Sequence, residues 1–327
     1  MKEKIAVLAI CAMLFALGFA AEAQQPKKIA RIGLLSGGAN PAKPVLWEPF
    51  FEALRGFGYV EGQNVILERR FADGKSERVP EFAAELVRLK VDLIVATGAT
   101  ETREAKRATN MIPIVMVTAP DPVESGLVTS LARPGGNVTG LSLLAPELTG
   151  KRLELLRETI PKSSRFALLA WADDSTTANL KKDAELAAQA LGIQIRAVEV
   201  GDADKLPSAF AGMARDRVQG LMVPFRLPFF NQRERIVDLA AKNRIPAIYD
   251  NQVFTEAGGL MAYGPRPSDL YRRAVIYVDK ILKGSKPADL PVEQPKKFEL
   301  AINLKAAKQI GLIIPPNVLA RADRVIK

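Results

Sequence analysis

Buried strands alternate with amphipathic helices along this chain, and they do so in two successive series. The first series predicts strands at 29–37, 65–71, 91–97 and 112–118. The second series predicts strands at 166–171, 193–200, 220–223 and 245–249. Strands separated by helices of this length form parallel sheets with right-handed crossovers. The sequence therefore predicts an α/β fold with two doubly wound parallel-sheet lobes.

The region after the second series is long and has its own pattern. It predicts a strand at 259–264, a helix from Ser268, a proline-rich link, a strand at 298–302 and short helices up to Lys327. One further helix is predicted earlier, from Phe229 to Lys242. We expect the tail to cross back to the first lobe, so that several segments join the lobes and form a hinge with a defined axis.

The crossing tail gives each predicted lobe two segments of sequence. The N-terminal lobe comprises 24–142 plus about 264–290. The C-terminal lobe comprises 143–263 plus about 291–327.

The N-terminal segment has the pattern of an export signal. Lys2 and Lys4 precede an apolar run from 5 to 21, and a small-x-small cleavage site ends at Ala23. An uncleaved anchor is the alternative, since a run of about 17 residues is near the lower limit for spanning a bilayer. Lipidation at Cys11 is disfavoured, because Ile10 precedes it and the apolar run continues beyond it. We expect cleavage near Ala23 and a periplasmic location.

The composition excludes several classes of chemistry. The expected mature chain contains no cysteine, which excludes disulfides and thiol catalysis. The chain contains no histidine, which removes the commonest general base, the commonest metal ligand and any Ser-His-Asp triad. We therefore expect no enzymatic activity, no cofactor and no metal site.

The formal net charge of +10 would suggest a nucleic acid as the partner of a cytoplasmic protein. An exported protein rarely meets nucleic acid, so we expect none as a partner. A solvated basic surface is the simplest interpretation of the charge. Attraction to anionic lipid, to a membrane partner or to an anionic ligand are the alternatives.

Candidate ligand-binding residues follow the predicted strands, because doubly wound lobes bind ligands outside the carboxyl ends of their strands. In the first lobe these residues are Ser36, Gly37, Gly38, Asn40, Thr97, Gly98, Ala99, Thr100, Thr118 and Asp121. In the second lobe they are Trp171, Asp173, Pro224, Phe225, Tyr249 and Asp250.

The chemistry of these side chains suits a small zwitterion. The hydroxyls of Ser36, Thr97 and Thr100 can donate hydrogen bonds, and backbone amides at helix starts can hold a carboxylate. The aspartates can balance an ammonium group, and the aromatic residues can contact an apolar or aromatic side chain. The hydroxyls and glycines could instead serve turns, and the aromatics could belong to the core.

Six segments carry a resemblance to a known family. They are Leu54–Asn64 (LRGFGYVEGQN), Asp121–Val128 (DPVESGLV), Leu131–Gly140 (LARPGGNVTG), Glu256–Gly264 (EAGGLMAYG), Leu290–Pro295 (LPVEQP) and Phe298–Lys305 (FELAINLK). Together they resemble the ABC-transporter substrate-binding protein family that includes receptors assigned to tryptophan and tyrosine. The resemblance implies a type I periplasmic-binding fold, with two lobes, three crossovers and a ligand clamped at the hinge. The chain departs from many relatives after Trp171, where Ala172-Asp173-Asp174 stands in place of Asn-Pro.

Sequence and resemblance together predict an exported solute-binding receptor of an ABC importer. We expect it to be a monomer that binds a small amino-acid-like ligand, with aromatic amino acids among the candidates. The expected partner is an inner-membrane ABC permease. A ligand-sensing subunit for a membrane kinase or a chemoreceptor is the alternative.

Overall fold

The computed structural model describes residues 29–38, 46–143, 146–172 and 177–327, which form two sheets flanked by helices. The predicted export signal lies outside these residues, as do Asn40 and Asp173 of the predicted site.

The first sheet has five parallel strands. Their bounds are β1 Ala30–Ser36, β2 Val65–Phe71, β3 Leu93–Thr97, β4 Ile114–Pro120 and β5 Val138–Leu143. The helices between them are α1 Glu48–Gly56, α2 Val79–Arg88 and α3 Ala99–Ala108. The strand order β2-β1-β3-β4-β5 reverses direction between β1 and β3, which is the point where open α/β sheets bind ligands.

Strand β1 shows why this sheet is covered on both faces. Ile32 and Leu34 point to one face and pack in a cluster with Phe50 of α1, whereas Leu35 points to the other face. Gly33 shares the face of Leu35 and leaves room for Leu86 of α2, whose Cδ atoms would lie 3.0 Å from a Cβ at that position. Burial on both faces makes the strand apolar throughout, as is typical of parallel sheets.

The second sheet has seven strands in the order β12-β11-β10-β9-β8-β6-β7. Their bounds are β6 Arg165–Trp171, β7 Gln194–Val200, β8 Gly220–Val223, β9 Ala247–Tyr249, β10 Met261–Gly264, β11 Glu299–Asn303 and β12 Arg324–Ile326. Strand β11 pairs antiparallel with β10, while the other neighbours are parallel. Strand β12 lies where the sequence predicted only short helices.

The remaining helices pack mostly on the second sheet. Their bounds are α4 Pro146–Thr159, α5 Thr177–Leu191, α6 Leu206–Arg215, α7 Leu227–Asn231, α8 Arg233–Lys242, α9 Gln252–Glu256, α10 Pro267–Leu282, α11 Leu304–Gln309 and α12 Pro316–Leu319. Helices α4 and α5 contribute to the core on one face, and α6 and α8 contribute to the core on the other. The single helix predicted from Phe229 to Lys242 is interrupted at Gln232, whose N–H donates to the carbonyls of Pro228 and Phe229 and tightens the last turn of α7.

The chain passes between the two lobes three times. It first crosses between β5 and α4 and returns after β10, because α10 packs on α1 and β4 of the first lobe. There Tyr271 meets the ring of Trp47 at 5.3 Å between centroids. The following link stays on the first lobe, where Thr139 donates a hydrogen bond of 2.6 Å to the carbonyl of Leu290. Strand β11 then rejoins the second sheet, which confirms the predicted class of two doubly wound lobes with several connections.

We propose the predicted lobe limits, 24–142 plus about 264–290 and 143–263 plus about 291–327. The returning link supports a change of lobe close to the predicted position. Its contact with β5 extends a little further, since the Ser142 N–H donates to the carbonyl of Glu293 at 2.9 Å.

Candidate functional site

The carboxyl ends of both sheets line a cleft that consists of two adjoining compartments. The first compartment lies between Thr118 of the first lobe and Asp250 of the second, and has a volume of about 880 Å³ including space open to solvent. The second compartment lies between Gly98 and Trp171, and its corresponding volume is about 1400 Å³. The two share a set of lining residues, namely Thr118, Pro120, Phe225 and Arg226.

Ser36 and Thr97 end the two strands at the reversal point, but their hydroxyls bond to each other. The register pairs these two residues across β1 and β3, and Thr97 Oγ donates to Ser36 Oγ at 3.0 Å. Ser36 Oγ also accepts from the N–H of Gly38 at 3.2 Å. Both side chains are buried, and neither lines a compartment. These two predicted ligand donors are therefore hydrogen-bonded within the protein, at the adjacent ends of β1 and β3.

Gly37 and Gly98 do line the second compartment, and they also make room for Glu101. A Cβ on Gly37 would lie 2.3 Å from Glu101 Oε1, and a Cβ on Gly98 would lie 2.7 Å from Oε2. The buried carboxylate in the first turn of α3 thus occupies the space that side chains at the two strand ends would fill. Ala99 and Thr100, from the same turn, complete this wall of the compartment.

The end of β4 has an unusual backbone where it meets the cleft. Thr118 and Asp121 adopt φ values of 61° and 43°, in the left-handed region that non-glycine residues rarely occupy. The pairing of β4 with β5 shifts register between Met116 and Ala119, as in a β-bulge. Thr118 lines both compartments and Asp121 lines the first. Backbone strain of this kind persists where the surrounding structure enforces it, and it clusters at functional sites.

The second lobe contributes the aromatic wall of the cleft. Phe225, which follows β8, lines both compartments, and Trp171 at the end of β6 lines the second. Pro224 lines the first compartment. Tyr249 lies instead in the core, where its ring stacks on Phe254 at 4.7 Å between centroids. Its side chain points away from the cleft because successive residues of a strand alternate between faces.

Asp250 is the buried carboxylate of the first compartment, and Arg152 is the buried guanidinium. Burial raises the pKa of Asp250 to about 6, while the charges of Arg152 and Arg226 and a hydrogen bond from the Phe225 N–H act in the opposite direction. Asn251 donates a further hydrogen bond of 2.9 Å to Asp250 Oδ1. The compartment thus places groups of both charges beside apolar and aromatic surface.

Sequence reasoning missed Arg152 because it considered only residues at strand ends. A signal was nevertheless present in α4, where Arg152 shares a helical stripe with Leu148 and Leu155, at a spacing of four and three residues. A charged residue on an otherwise apolar helical stripe is unusual, because a buried charge is stable only when it is paired or hydrogen-bonded. Arg226 was missed as well, although it directly follows the predicted Phe225.

Between residues 29 and 327, the described helices include none with the length and apolar character needed to cross a membrane. Within the same described ranges, acidic side chains form no cluster of three that could hold a metal ion.

The fold and the cleft together define a two-lobed ligand-binding protein of the type I periplasmic-binding class. Residues 39–326 match the family described as ABC transporter substrate binding protein. The chain therefore belongs to this family.

Individual relatives extend the comparison. A tyrosine-binding protein of Clostridioides difficile is 27% identical over 288 residues, which cover 88% of this chain and 82% of the relative. A Streptococcus pneumoniae ABC domain solved in complex with L-Trp has a TM-score of 0.83 and 26% identity, covering 91% of this chain and 99% of that one. A conserved domain protein of Vibrio cholerae has a TM-score of 0.85 and 26% identity, covering 91% and 100%.

Proposed function

We propose that this protein is an exported solute-binding receptor of an ABC importer that holds a small amino-acid-like ligand between its lobes. The observation that carries the proposal is the cleft, whose two compartments are each lined by residues of both lobes. A solute bound there contacts both lobes and favours the closed arrangement over the open one. An inner-membrane permease then recognises the closed form.

The similar proteins support an amino acid as the ligand, since one is named for binding tyrosine and another was solved with L-Trp. The lining residues are compatible with such a ligand. Asp250 offers a charge for the ammonium group, Thr118 and Thr100 offer hydroxyls, and Trp171 and Phe225 offer aromatic surface.

The proposal includes location and partners. We propose that the signal is cleaved near Ala23, that the mature protein is a periplasmic monomer, and that it acts without cofactor, nucleic acid or catalysis. The export pattern of the first 23 residues and the family to which the chain belongs support these points.

Binding can be tested on the purified mature chain with the twenty standard L-amino acids, by thermal shift and then calorimetry. At least one amino acid should raise the melting temperature. Trp171→Ala in one lobe and Thr100→Val in the other should each weaken its binding about fivefold or more. Phe57→Ala, at an exposed position away from the cleft, is the control and should leave affinity unchanged. A full panel without a binder would refute the amino-acid assignment, and a substitution without effect would refute contact with that lobe.

Transport and export need a cellular test. Deletion of the gene should abolish uptake of the labelled amino acid, and the protein recovered from the periplasmic fraction should begin near Gln24. Unchanged uptake would instead favour the sensing role, and an intact N-terminus would show an uncleaved anchor.

A further inference from the structure

We propose that Arg152 binds the carboxylate of the ligand and so determines that the receptor selects acids over their neutral analogues. This inference rests on the proposed function and deepens it, because it names the group on the ligand that the first compartment recognises.

Arg152 is held in a position from which it can bind a ligand carboxylate. It lies in the middle of α4 and is only 8% exposed, yet it lines the first compartment. Its Nε donates to the carbonyl of Tyr263 at 2.8 Å, which fixes the plane of the guanidinium. Among the described residues, no acceptor receives a hydrogen bond from Nη1 or Nη2. The two terminal nitrogens are therefore available to a molecule in the compartment.

The terminal nitrogens of Arg152 are open to the cleft, because no buried side-chain nitrogen or oxygen among the described residues lacks a hydrogen-bond partner. A guanidinium carries five N–H donors and stays charged at any physiological pH. Burial without hydrogen-bond partners is unfavourable for such a group, so buried arginines normally have their donors paired. A carboxylate is the natural complement, because its two oxygens accept from two parallel N–H groups of the fork.

Three neighbouring groups influence the charge of Arg152, and none of them takes its terminal nitrogens. Burial lowers the pKa of Arg152. Asp250 and Tyr263 act in the opposite direction and raise that pKa, whereas the like charge of Arg226 lowers it. Asp250 does not form an ion pair with Arg152 within 4.0 Å in the described structure. Asp250 therefore does not occupy the terminal nitrogens of Arg152, which leaves them for a ligand carboxylate.

A neighbouring cation site makes the anchor specific for an amino acid. Asp250 lines the same compartment from the end of β9 and can receive the ligand ammonium. With the carboxylate on Arg152 and the ammonium toward Asp250, the side chain of the ligand would extend past Phe225, which borders both compartments.

A purely structural role for Arg152 predicts something different. In that case it would only brace Tyr263 at the crossover into α10, and its removal would weaken the binding of every ligand alike. The two roles can be separated by pairing a substitution in the protein with the removal of the carboxylate from the ligand.

The experiment uses the mature full chain and the tightest binder among the twenty L-amino acids, compared with its carboxamide and with inorganic phosphate. Calorimetry is performed on the wild type, Arg152→Gln and Arg152→Lys. Arg157→Gln is the control, because it removes an exposed arginine from the same helix. Wild type should prefer the acid over the carboxamide by about 10-fold or more, and Arg152→Gln should lose that preference. Arg152→Lys should retain part of it, since the charge remains without the fork.

Several results would overturn the anchor. These are equal binding of acid and carboxamide by the wild type, an equal loss of both ligands in Arg152→Gln, and tighter binding of phosphate than of any amino acid. The wild-type comparison and Arg152→Lys keep the test valid if Arg152→Gln does not fold. If no amino acid binds the wild type, the proposed function fails and the anchor fails with it, whereas a bound amino acid without preference for its acid form overturns the anchor alone.

Discussion

Asp250 gives the folded protein a pH dependence whose size follows from its burial. Its pKa is raised from 3.8 to about 6, with burial as the main cause and Arg152 acting against it. The folded protein therefore holds a proton on this carboxyl more tightly than the unfolded chain does. The resulting stability is fully present below about pH 4 and is lost as the pH rises through about 6. At 1.36 kcal/mol per unit, the loss is about 3 kcal/mol.

The perturbation is Asp250→Asn, which removes the titrating group and nearly preserves its shape. The free energy of unfolding is measured by urea denaturation at about pH 4 and about pH 7 for both proteins. Between these values the wild type should lose about 3 kcal/mol more than the variant. Arg152 is charged at both pH values. Any destabilisation that arises because Arg152 loses its neighbour Asp250 is therefore the same at both, and it cancels from the difference between the two pH values. Asp289→Asn, at an exposed position, is the control and should behave as the wild type does.

Equal pH dependence in the wild type and Asp250→Asn would refute the reasoning. It would mean that water or a rearrangement of the cleft solvates the carboxyl as well as the unfolded chain does. A variant that is destabilised equally at both pH values would lead to the same conclusion, because only the difference between pH values reports the titration.

Three further outcomes are expected. Ligand affinity should fall about 10-fold per unit as the pH drops below about 6, because Asp250 then loses the charge that attracts ammonium; a flat calorimetric profile would contradict this. Gly264→Ala should destabilise by about 2 kcal/mol, because its Cβ would lie 1.9 Å from the carbonyl oxygen of Asp250. Gly56→Ala, with open space around it, serves as the comparison in denaturation and should show no loss. Phe210→Ala should cost about 3–5 kcal/mol in the same assay, since the ring is fully buried, and exposed Phe57→Ala should cost under about 0.5 kcal/mol; similar losses for both would contradict the assigned core.

The layer architecture could be predicted from the sequence because burial on both faces leaves a continuous apolar run in each parallel strand. Strand β12 was missed because it spans only Arg324–Ile326, and its residues are no more than partly buried. The break at Gln232 was missed for a similar reason, since its cause is a tightened turn that involves no proline or glycine at the break itself.

The site could be predicted in outline, because strand ends of a parallel sheet meet at one edge. Trp171, Phe225 and Thr118 reach the cleft for this reason. The sequence could not reveal that Ser36 stands opposite Thr97, because register depends on the assembled sheet. Arg152 could not be found by examining strand ends, since a helix brings it to the cleft.

The position of α10 in the sequence also governs when each half of the molecule can fold. Its residues Tyr271, Val275 and Val278 close the same cluster as Phe50 of α1, although most of the second lobe is synthesised between them. The second sheet likewise remains incomplete until β11 has been synthesised. A nascent chain that ends at β10 therefore leaves apolar surface uncovered in both halves, and contacts so distant in sequence form slowly. The topology that joins the lobes at a hinge thus postpones completion of either core until almost the whole polypeptide has been made.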